Sequence, residues 1–189
     1  LPGLALVTGR PEIARSILRA FADVMDQGMI PNRFPDAGSA PEFNTVDATF
    51  WFVEAIAAVD AASPDPQFLA EMFPALEEIV AHLRSGTRYG IGLDPSDGLI
   101  RAGEPGVQLT WMDARVGDWV VTPRIGKPVE VNALWISNLR FMLRAAAQLG
   151  VSRPHIDHQP TIDAAHPHHH RGREQVEHNF LRRACLQAC

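Results

Sequence analysis

Carboxylate side chains lie among aromatic residues in two polar stretches of the chain, residues 89–131 and residues 29–44. Sugar rings stack on aromatic faces, and carboxylates carry the acid and base steps of glycoside cleavage. We therefore predict that the two stretches face each other across a carbohydrate cleft. The candidate residues are Asp94, Asp97, Glu104, Asp113, Asp118 and Glu130 with Tyr89, Trp111 and Trp119 in the first stretch, and Arg33, Asp36, Glu42 and Asn44, followed by Asp47, in the second.

Asp113 is the strongest candidate for a general acid. Trp111 and Met112 give it apolar neighbours, which favour the protonated form of a carboxyl group. Residue types alone favour a simpler interpretation, in which an acid in a glycine-rich loop caps a turn. The tryptophans Trp51, Trp111 and Trp119 leave two interpretations open, sugar stacking or packing within the core or a loop.

The remaining motifs do not predict a cofactor or a resident metal. Asp94-Pro95-Ser96-Asp97-Gly98 lacks the alternating ligands and closing glutamate of a calcium-binding EF-hand, so we interpret it as a turn. Walker and dinucleotide motifs are absent from the sequence. Seven of the eight histidines, together with Cys185 and Cys189, follow Gly150 without the spacing of a structural zinc site.

The composition is that of a globular protein, with 46% hydrophobic and 21% charged residues among 189. A formal net charge of -5 and dispersed lysines and arginines argue against nucleic acid as a partner. Two cysteines form no disulfide framework, and they favour a cytoplasmic location. No apolar run approaches the roughly 18 residues of a membrane-spanning helix. Because the sequence begins at Leu1 inside an apparent element, we expect a fragment of a longer protein.

Apolar residues recur at helical spacing in four segments, residues 11–27, 44–61, 67–84 and 132–149. In the first helix, Ile13, Ile17, Phe21 and Val24 form one apolar stripe, with Leu18 and Met25 beside it, and we predict that Gly28 ends the helix. The expected features of the other helices are a cap at Asn44 or Thr45, a kink or restart at Pro74, and a stop at Gly150.

Long polar loops separate these helices, and the sequence shows no convincing strands, although residues 90–93 and 119–122 could pair briefly. This organisation predicts an all-α fold, and paired helices with decorated loops suggest a helical toroid. After Gly150 the sequence becomes rich in histidine, arginine and proline. We predict a domain at residues 1–149 and a divergent tail at residues 150–189 that is disordered or partly helical.

Four segments are more specific than composition can explain: residues 30–38 (IPNRFPDAG), 41–52 (PEFNTVDATFWF), 108–124 (QLTWMDARVGDWVVTPR) and 126–135 (GKPVEVNALW). They resemble the amylo-α-1,6-glucosidase domain of bacterial and archaeal glycogen debranching enzymes. The resemblance covers about residues 1–149, in order and without obvious gaps.

The resemblance implies an incomplete part of an (α/α)6 toroid related to glucoamylase and trehalase. The implied reaction is inverting hydrolysis of the α-1,6-linked glucose left at a trimmed branch point of glycogen or of a branched α-glucan oligosaccharide. The matching motif assigns the general acid to Asp113. The substrate-binding residues we predict are Arg33, Asp36, Asn44, Asp47, Trp51, Trp111, Asp118, Lys127, Glu130 and Asn132.

Two parts of the family pattern have no counterpart in this sequence. The family's base is a glutamate far toward the C-terminus, and its Trp-Gly-Arg-Asp motif would precede Leu1. We therefore expect a truncated copy that holds the acid without the base, and that is marginally stable or self-associates because apolar helix faces lack partners. The alternatives are a glucan-binding remnant without catalysis and another inverting α-glucosidase with trehalase-like specificity.

Overall fold

The computed structural model describes residues 1–33 and 40–151, where four α-helices form the framework. They are α1 (Pro11–Asp23), α2 (Asp47–Ala62), α3 (Pro66–Ser85) and α4 (Val129–Leu149). Short helical turns lie at Pro2–Leu6, Arg88–Gly90 and Trp111–Asp113. Two antiparallel hairpins are formed by β1 (Gly92–Leu93) with β2 (Ile100–Arg101) and by β3 (Arg115–Val116) with β4 (Trp119–Val120). The prediction of an all-α fold is confirmed.

Helix α2 lies at the centre of the helical framework, in contact with α1, α3 and α4. Its Phe50 is 1% exposed and meets Trp135 of α4 edge to face, with 6.1 Å between the ring centroids. This arrangement buries large apolar side chains from each helix, which is the main favourable contribution to folding. The core therefore joins α2 and α4, the two helices whose first turns carry Asp47 and Glu130.

Helix α1 ends earlier and buries a different face than the sequence predicted. It stops at Asp23, whereas Gln27 and Gly28 occupy a tight turn closed by two hydrogen bonds between Asp26 and Met29. Both turn residues have positive φ, the conformation that glycine adopts without steric cost.

The predicted stripe on α1 is partly wrong. Ile13 and Ile17 are exposed, whereas Leu18, predicted beside the stripe, is buried together with Ala14 and Arg15. The cause is the neighbouring contact: the Arg15 guanidinium donates to Ser63 O at the end of α2, which turns this face of the helix inward.

The starts of the next two helices differ in how they are capped. The predicted cap of α2 at Asn44 or Thr45 is wrong, because Val46 precedes the helix and its N–H donates to Leu109 O at 2.9 Å. In α3, the Asp65 carboxylate accepts from the N–H groups of Gln67 and Phe68, and the helix continues through Pro74 without a restart. Val46 thereby ties the start of α2 to the loop that leads to Asp113.

The short strands pair within their own hairpins rather than with each other. Gly92 pairs with Arg101, and Val116 pairs with Trp119. The first hairpin packs against α3 and α4, and the second follows directly after the turn at Trp111–Asp113. Helix α4 begins at Val129, three residues before the predicted start, and ends as expected at Gly150 in the left-handed conformation.

Candidate active site

Asp113 lies at the end of the helical turn Trp111–Asp113 and is 5% exposed. Its Oδ2 accepts from the Leu109 N–H at 3.0 Å, and its Oδ1 accepts from the Thr110 N–H at 3.0 Å and from the Thr110 hydroxyl at 3.3 Å. Thr110 Oγ1 in turn accepts from the Met112 N–H. The two side chains form a capping box, so the simpler interpretation, a turn cap, describes the contacts of Asp113 in this structure.

The surroundings of Asp113 are less apolar than the sequence suggested. Trp111 is 76% exposed, and the contacts of the carboxylate are hydrogen bonds from Leu109 and Thr110. The three hydrogen bonds accepted by Asp113 hold its side chain in the turn. A proton-donating role for Asp113 stays a prediction, and it requires that the side chain leave the cap.

Asp47 brings a second carboxylate to the same region. It is half-buried at the start of α2, and burial raises the pKa of its carboxyl group above the ordinary value. The N–H groups of Asp47 and Ala48 act in the opposite direction, whereas the charges of Asp113 and Glu130 raise the pKa further. Three predicted site carboxylates are thus near enough to interact electrostatically.

Glu130 is held by an arginine that the sequence analysis did not assign to the site. The Arg124 Nε lies 2.8 Å from Glu130 Oε1, and Arg124 Nη2 donates to Met112 Sδ at 3.2 Å. Met112 is the residue directly before Asp113. Arg124 therefore connects the first turn of α4 to the turn that carries Asp113.

Lys127 contacts two carboxylates of the first hairpin rather than open solvent. Its Nζ lies 2.7 Å from Asp94 Oδ2 and 2.7 Å from Asp97 Oδ2. Burial lowers the pKa of Lys127, but hydrogen bonds to the two aspartates outweigh it and leave that pKa raised. The same contact, with hydrogen bonds from Ser96, holds the pKa of Asp94 well below its usual range. The turn at residues 94–98 thus holds an ammonium group between its aspartates.

Asn132 is 2% exposed, and its amide bonds to the backbone. Oδ1 accepts from the Ile100 N–H at 2.7 Å, and Nδ2 donates to Ile100 O and Pro128 O, each at 3.0 Å. The Trp135 Nε1 donates to Gly98 O one turn further along α4. These bonds dock the first hairpin on α4, and a direct substrate contact of Asn132 stays a prediction.

The loop after α1 contains the second polar stretch, residues 29–44, and part of it is described by the structure. Arg33 lies 3.7 Å from Glu42 across an isolated bridge, and Asn32 Nδ2 donates to Asn44 Oδ1. Asp36 lies outside the described residues. Asp118 is exposed in the turn between β3 and β4.

An apolar groove of about 570 Å³ lies beside α2, and Trp51, 57% exposed, forms part of its wall. Its lining comes from the N-terminus, α1, the loop that follows and the outer face of α2. The lining residues are Leu1, Pro2, Leu18, Phe21, Ile30, Pro31, Asn32, Ala48, Trp51, Phe52, Glu54, Ala55 and Ala58. None of these lining residues belongs to the loop that carries Asp113, and Ala48 directly follows Asp47.

Residues 1–33 and 40–151 contain neither a candidate metal site nor a candidate membrane span. This part of the chain contains no group of three or more His, Cys, Asp or Glu side chains placed to hold a metal ion. Its helices include none with both the length and the apolar character needed to cross a lipid bilayer.

Contacts link the elements that carry Asp47, Asp113 and Glu130, because the Val46 N–H donates to Leu109 O and Arg124 joins Glu130 to Met112. Thr110 is a further residue of these surroundings. The spacing of Thr110 and Asp113, a threonine three residues before an acid, is the signal that could have predicted the capping box. No sequence pattern indicates the role of Arg124, because its partners Glu130 and Met112 lie 6 and 12 positions away in the sequence.

Comparison with known proteins supports the resemblance found in the motifs. A family model described as amylo-alpha-1,6-glucosidase matches residues 1–183. The glycogen debranching enzyme of Saccharomyces cerevisiae is 28% identical over 197 aligned residues, which cover 76% of this chain. The chain spans 13% of that relative's length. The family match extends beyond residue 149, so the predicted domain boundary there stays a prediction.

The helical fold agrees with an incomplete portion of the toroid that the resemblance implies. Because the family model covers nearly the whole sequence, and the matched motifs include the turn at Asp113, the chain belongs to the amylo-α-1,6-glucosidase family.

Proposed function

We propose that this chain forms the proton-donor side of an α-1,6-glucosidase site that acts on glycogen or a branched α-glucan. The observation that carries the proposal is a pair of contacts that link Asp47 and Glu130 to the loop of Asp113: the Val46 N–H donates to Leu109 O, and Arg124 bridges Glu130 and Met112. Trp111 in the same loop is exposed. Carboxylates provide the acid and the sugar contacts, and an exposed indole face provides a surface for a pyranose ring. The low cysteine content favours a cytoplasmic location for this activity.

In the proposed reaction, Asp113 gives its proton to the glycosidic oxygen as the bond from that oxygen to the anomeric carbon breaks. Water adds to the anomeric carbon from the opposite face and loses a proton to a second carboxylate, about 6.5–9.5 Å from the acid in an inverting site. We propose that this base lies outside the present chain. The side chain of Asp113 must also turn out of its cap, releasing the Leu109 and Thr110 N–H groups.

Binding can be measured without turnover from the four indole N–H signals in nitrogen-15 NMR spectra. Panose, which carries an α-1,6-linked glucose, is expected to shift the Trp111 signal, whereas trehalose is not. The buried Trp135, whose Nε1 donates to Gly98 O, is an internal control. The proposal fails if panose leaves the Trp111 signal unchanged at millimolar concentration.

Catalysis requires a separate assay, because under this proposal the base is supplied from outside the chain. Formate can act as a small external base, so panose with formate should release glucose from the wild-type chain and not from Asp113→Asn. Asp113→Asn removes the proton and nearly retains the side-chain shape, but its amide can keep only the contact with Leu109 or those with Thr110, so its panose affinity reports whether the turn is intact. Release of glucose without formate would contradict the proposal that the base lies outside this chain.

A glucan-binding role without catalysis is the second candidate, and the capped, 5% exposed carboxylate of Asp113 favours it. Under this alternative, panose shifts the Trp111 signal but formate produces no glucose from the wild-type chain. The same two measurements therefore separate the candidates.

A further inference from the structure

Arg124 occupies the space between two elements that carry proposed site residues. Its side chain is 23% exposed, and its partner Glu130 is 27% exposed, so the pair is largely shielded from solvent. Nε donates to the Glu130 carboxylate at 2.8 Å, while the neighbouring Nη2 of the same guanidinium donates to Met112 Sδ at 3.2 Å. One planar group thus contacts both α4 and the turn at Trp111–Asp113.

This pair of contacts requires the shape of a guanidinium as well as its charge. A guanidinium presents N–H groups in several fixed directions, whereas a lysine ammonium is a compact charge at the end of a flexible stem. Lysine at position 124 could neutralise Glu130, but its single nitrogen lacks the two rigidly spaced donors, Nε and Nη2, that contact the carboxylate and the Met112 thioether. Arg124→Lys therefore removes the bridge to Met112 while it keeps the positive charge.

The location of the bridge matters for the proposed reaction. Glu130 carries one of the charges that act on Asp47, and Met112 directly precedes Asp113. A movement of either contact would shift a site carboxylate relative to the sugar. Displacements of about 1 Å in a catalytic arrangement can reduce turnover about 100-fold.

We propose that Arg124 is a positioning residue of the α-1,6-glucosidase site, which aligns Glu130 with the turn that carries Asp113 through its bridge to the carboxylate and to Met112. This inference rests on the proposed function, because the aligned groups are those assigned to the glucan. Arg124 acts through Glu130 and Met112 and needs no contact with the sugar.

The bridge itself can be tested on the 189-residue chain with carbon-13 labelled methionine methyl groups. Arg124→Lys and Arg124→Gln should both shift the Met112 methyl signal. The buried methionines Met29, Met72 and Met142 report whether the fold is retained. An unchanged Met112 signal in both variants would overturn the inference, whether or not the chain binds glucan.

The consequence for the site is tested by panose affinity from the Trp111 indole signal and by formate-dependent glucose release. Arg124→Lys should weaken affinity about tenfold, in line with the loss of a hydrogen bond to a charged group, and reduce turnover about 100-fold. The matched control is Arg101→Lys at an exposed arginine of β2, which should leave both values unchanged.

A double-variant cycle with Glu130→Gln separates positioning from general stability. If Arg124 acts through Glu130, Arg124→Lys should have little further effect on affinity in the Glu130→Gln chain. Equal losses in the two backgrounds, or a wild-type affinity in Arg124→Lys, would refute the positioning role while the proposed function remains. Failure of the wild-type chain to bind panose would instead refute the proposed function, and the positioning role with it.

Discussion

Replacing Asn132 with leucine removes the polar contacts that join the first hairpin to α4 while nearly preserving side-chain volume. The hairpin explains why these contacts matter. Hydrogen-bonded and non-hydrogen-bonded pairs alternate along an antiparallel hairpin. The Asp94 N–H donates to Leu99 O, so Asp94 and Leu99 form a hydrogen-bonded pair, as do Gly92 and Arg101. Ile100, which lies between Leu99 and Arg101, therefore belongs to a non-hydrogen-bonded pair. Its N–H and C=O therefore point away from β1, toward Asn132.

The expected loss follows from counting the groups that the substitution leaves without a partner. Ile100 is 0% exposed, so both its N–H and its C=O would be buried and unsatisfied. Each such group costs about 1–3 kcal/mol, which gives about 2–6 kcal/mol for the two. Pro128 O is not counted, because it still accepts from the Asn132 backbone N–H at 3.1 Å. The loss is a large fraction of the roughly 5–15 kcal/mol that stabilises a typical domain.

A comparison with Asn132→Ala distinguishes this cause from simple packing. Alanine leaves space in which water could satisfy the Ile100 groups, so it should cost less than leucine. A packing argument predicts the reverse order, because alanine creates the larger cavity.

Urea unfolding followed by far-ultraviolet circular dichroism measures both free energies, and the exposed Asn32→Ala serves as a control, expected to stay within about 0.5 kcal/mol of wild type. A loss below about 1 kcal/mol for leucine, or a larger loss for alanine, would refute the reasoning.

Three further predictions concern charge and backbone geometry. Asp47→Asn should raise the thermal midpoint near pH 7 but not near pH 3.5. The pKa of Asp47 is raised in the folded state, so ionising this carboxyl group destabilises the fold. The stability is fully present below the unfolded pKa of about 3.9 and is lost as pH rises through the higher folded pKa. Lys127→Met leaves two carboxylates without their shared ammonium and should lower the midpoint by about 2–4 °C in calorimetry, with a smaller loss in about 1 M salt. Gly28→Ala should lower the free energy of unfolding in urea more than Gly9→Ala does. Both glycines have φ near +70°, but an added Cβ at Gly28 would lie 2.6 Å from His82 Cβ, whereas at Gly9 it would meet nothing within 4 Å. Equal losses of unfolding free energy would contradict a steric cause.

The helices were predictable because their apolar spacing is local and each one buries a face in the same core. The stop of α4 at Gly150 follows from the left-handed conformation that glycine readily adopts. The end of α1 was missed because Gly28 serves a turn instead, where it lies against His82 of α3. Spacing within one segment cannot show that a glycine is needed for close packing against another.

The candidate site was predictable as a set of residues but not as a set of contacts. Asp47 and Glu130 were selected individually, and the charge interaction that joins them with Asp113 depends on how α2 and α4 pack. Lys127 was assigned to substrate, whereas two aspartates about 30 positions earlier in the sequence are its partners. Ion pairs between distant segments leave no periodic signal, so only the fold reveals them.

Asp113 shows why a turn cap and a catalytic acid are compatible assignments for one side chain. The cap holds the carboxylate in a fixed place through two backbone N–H groups and the Thr110 hydroxyl. A proton donor must reach the glycosidic oxygen, so the proposed reaction needs those donors to release the side chain as substrate enters. Thr110→Val removes the hydroxyl donor and leaves the Leu109 and Thr110 N–H groups. If uncapping limits the reaction, this variant should increase formate-dependent glucose release, whereas a decrease would mean that the cap positions Asp113 for proton transfer.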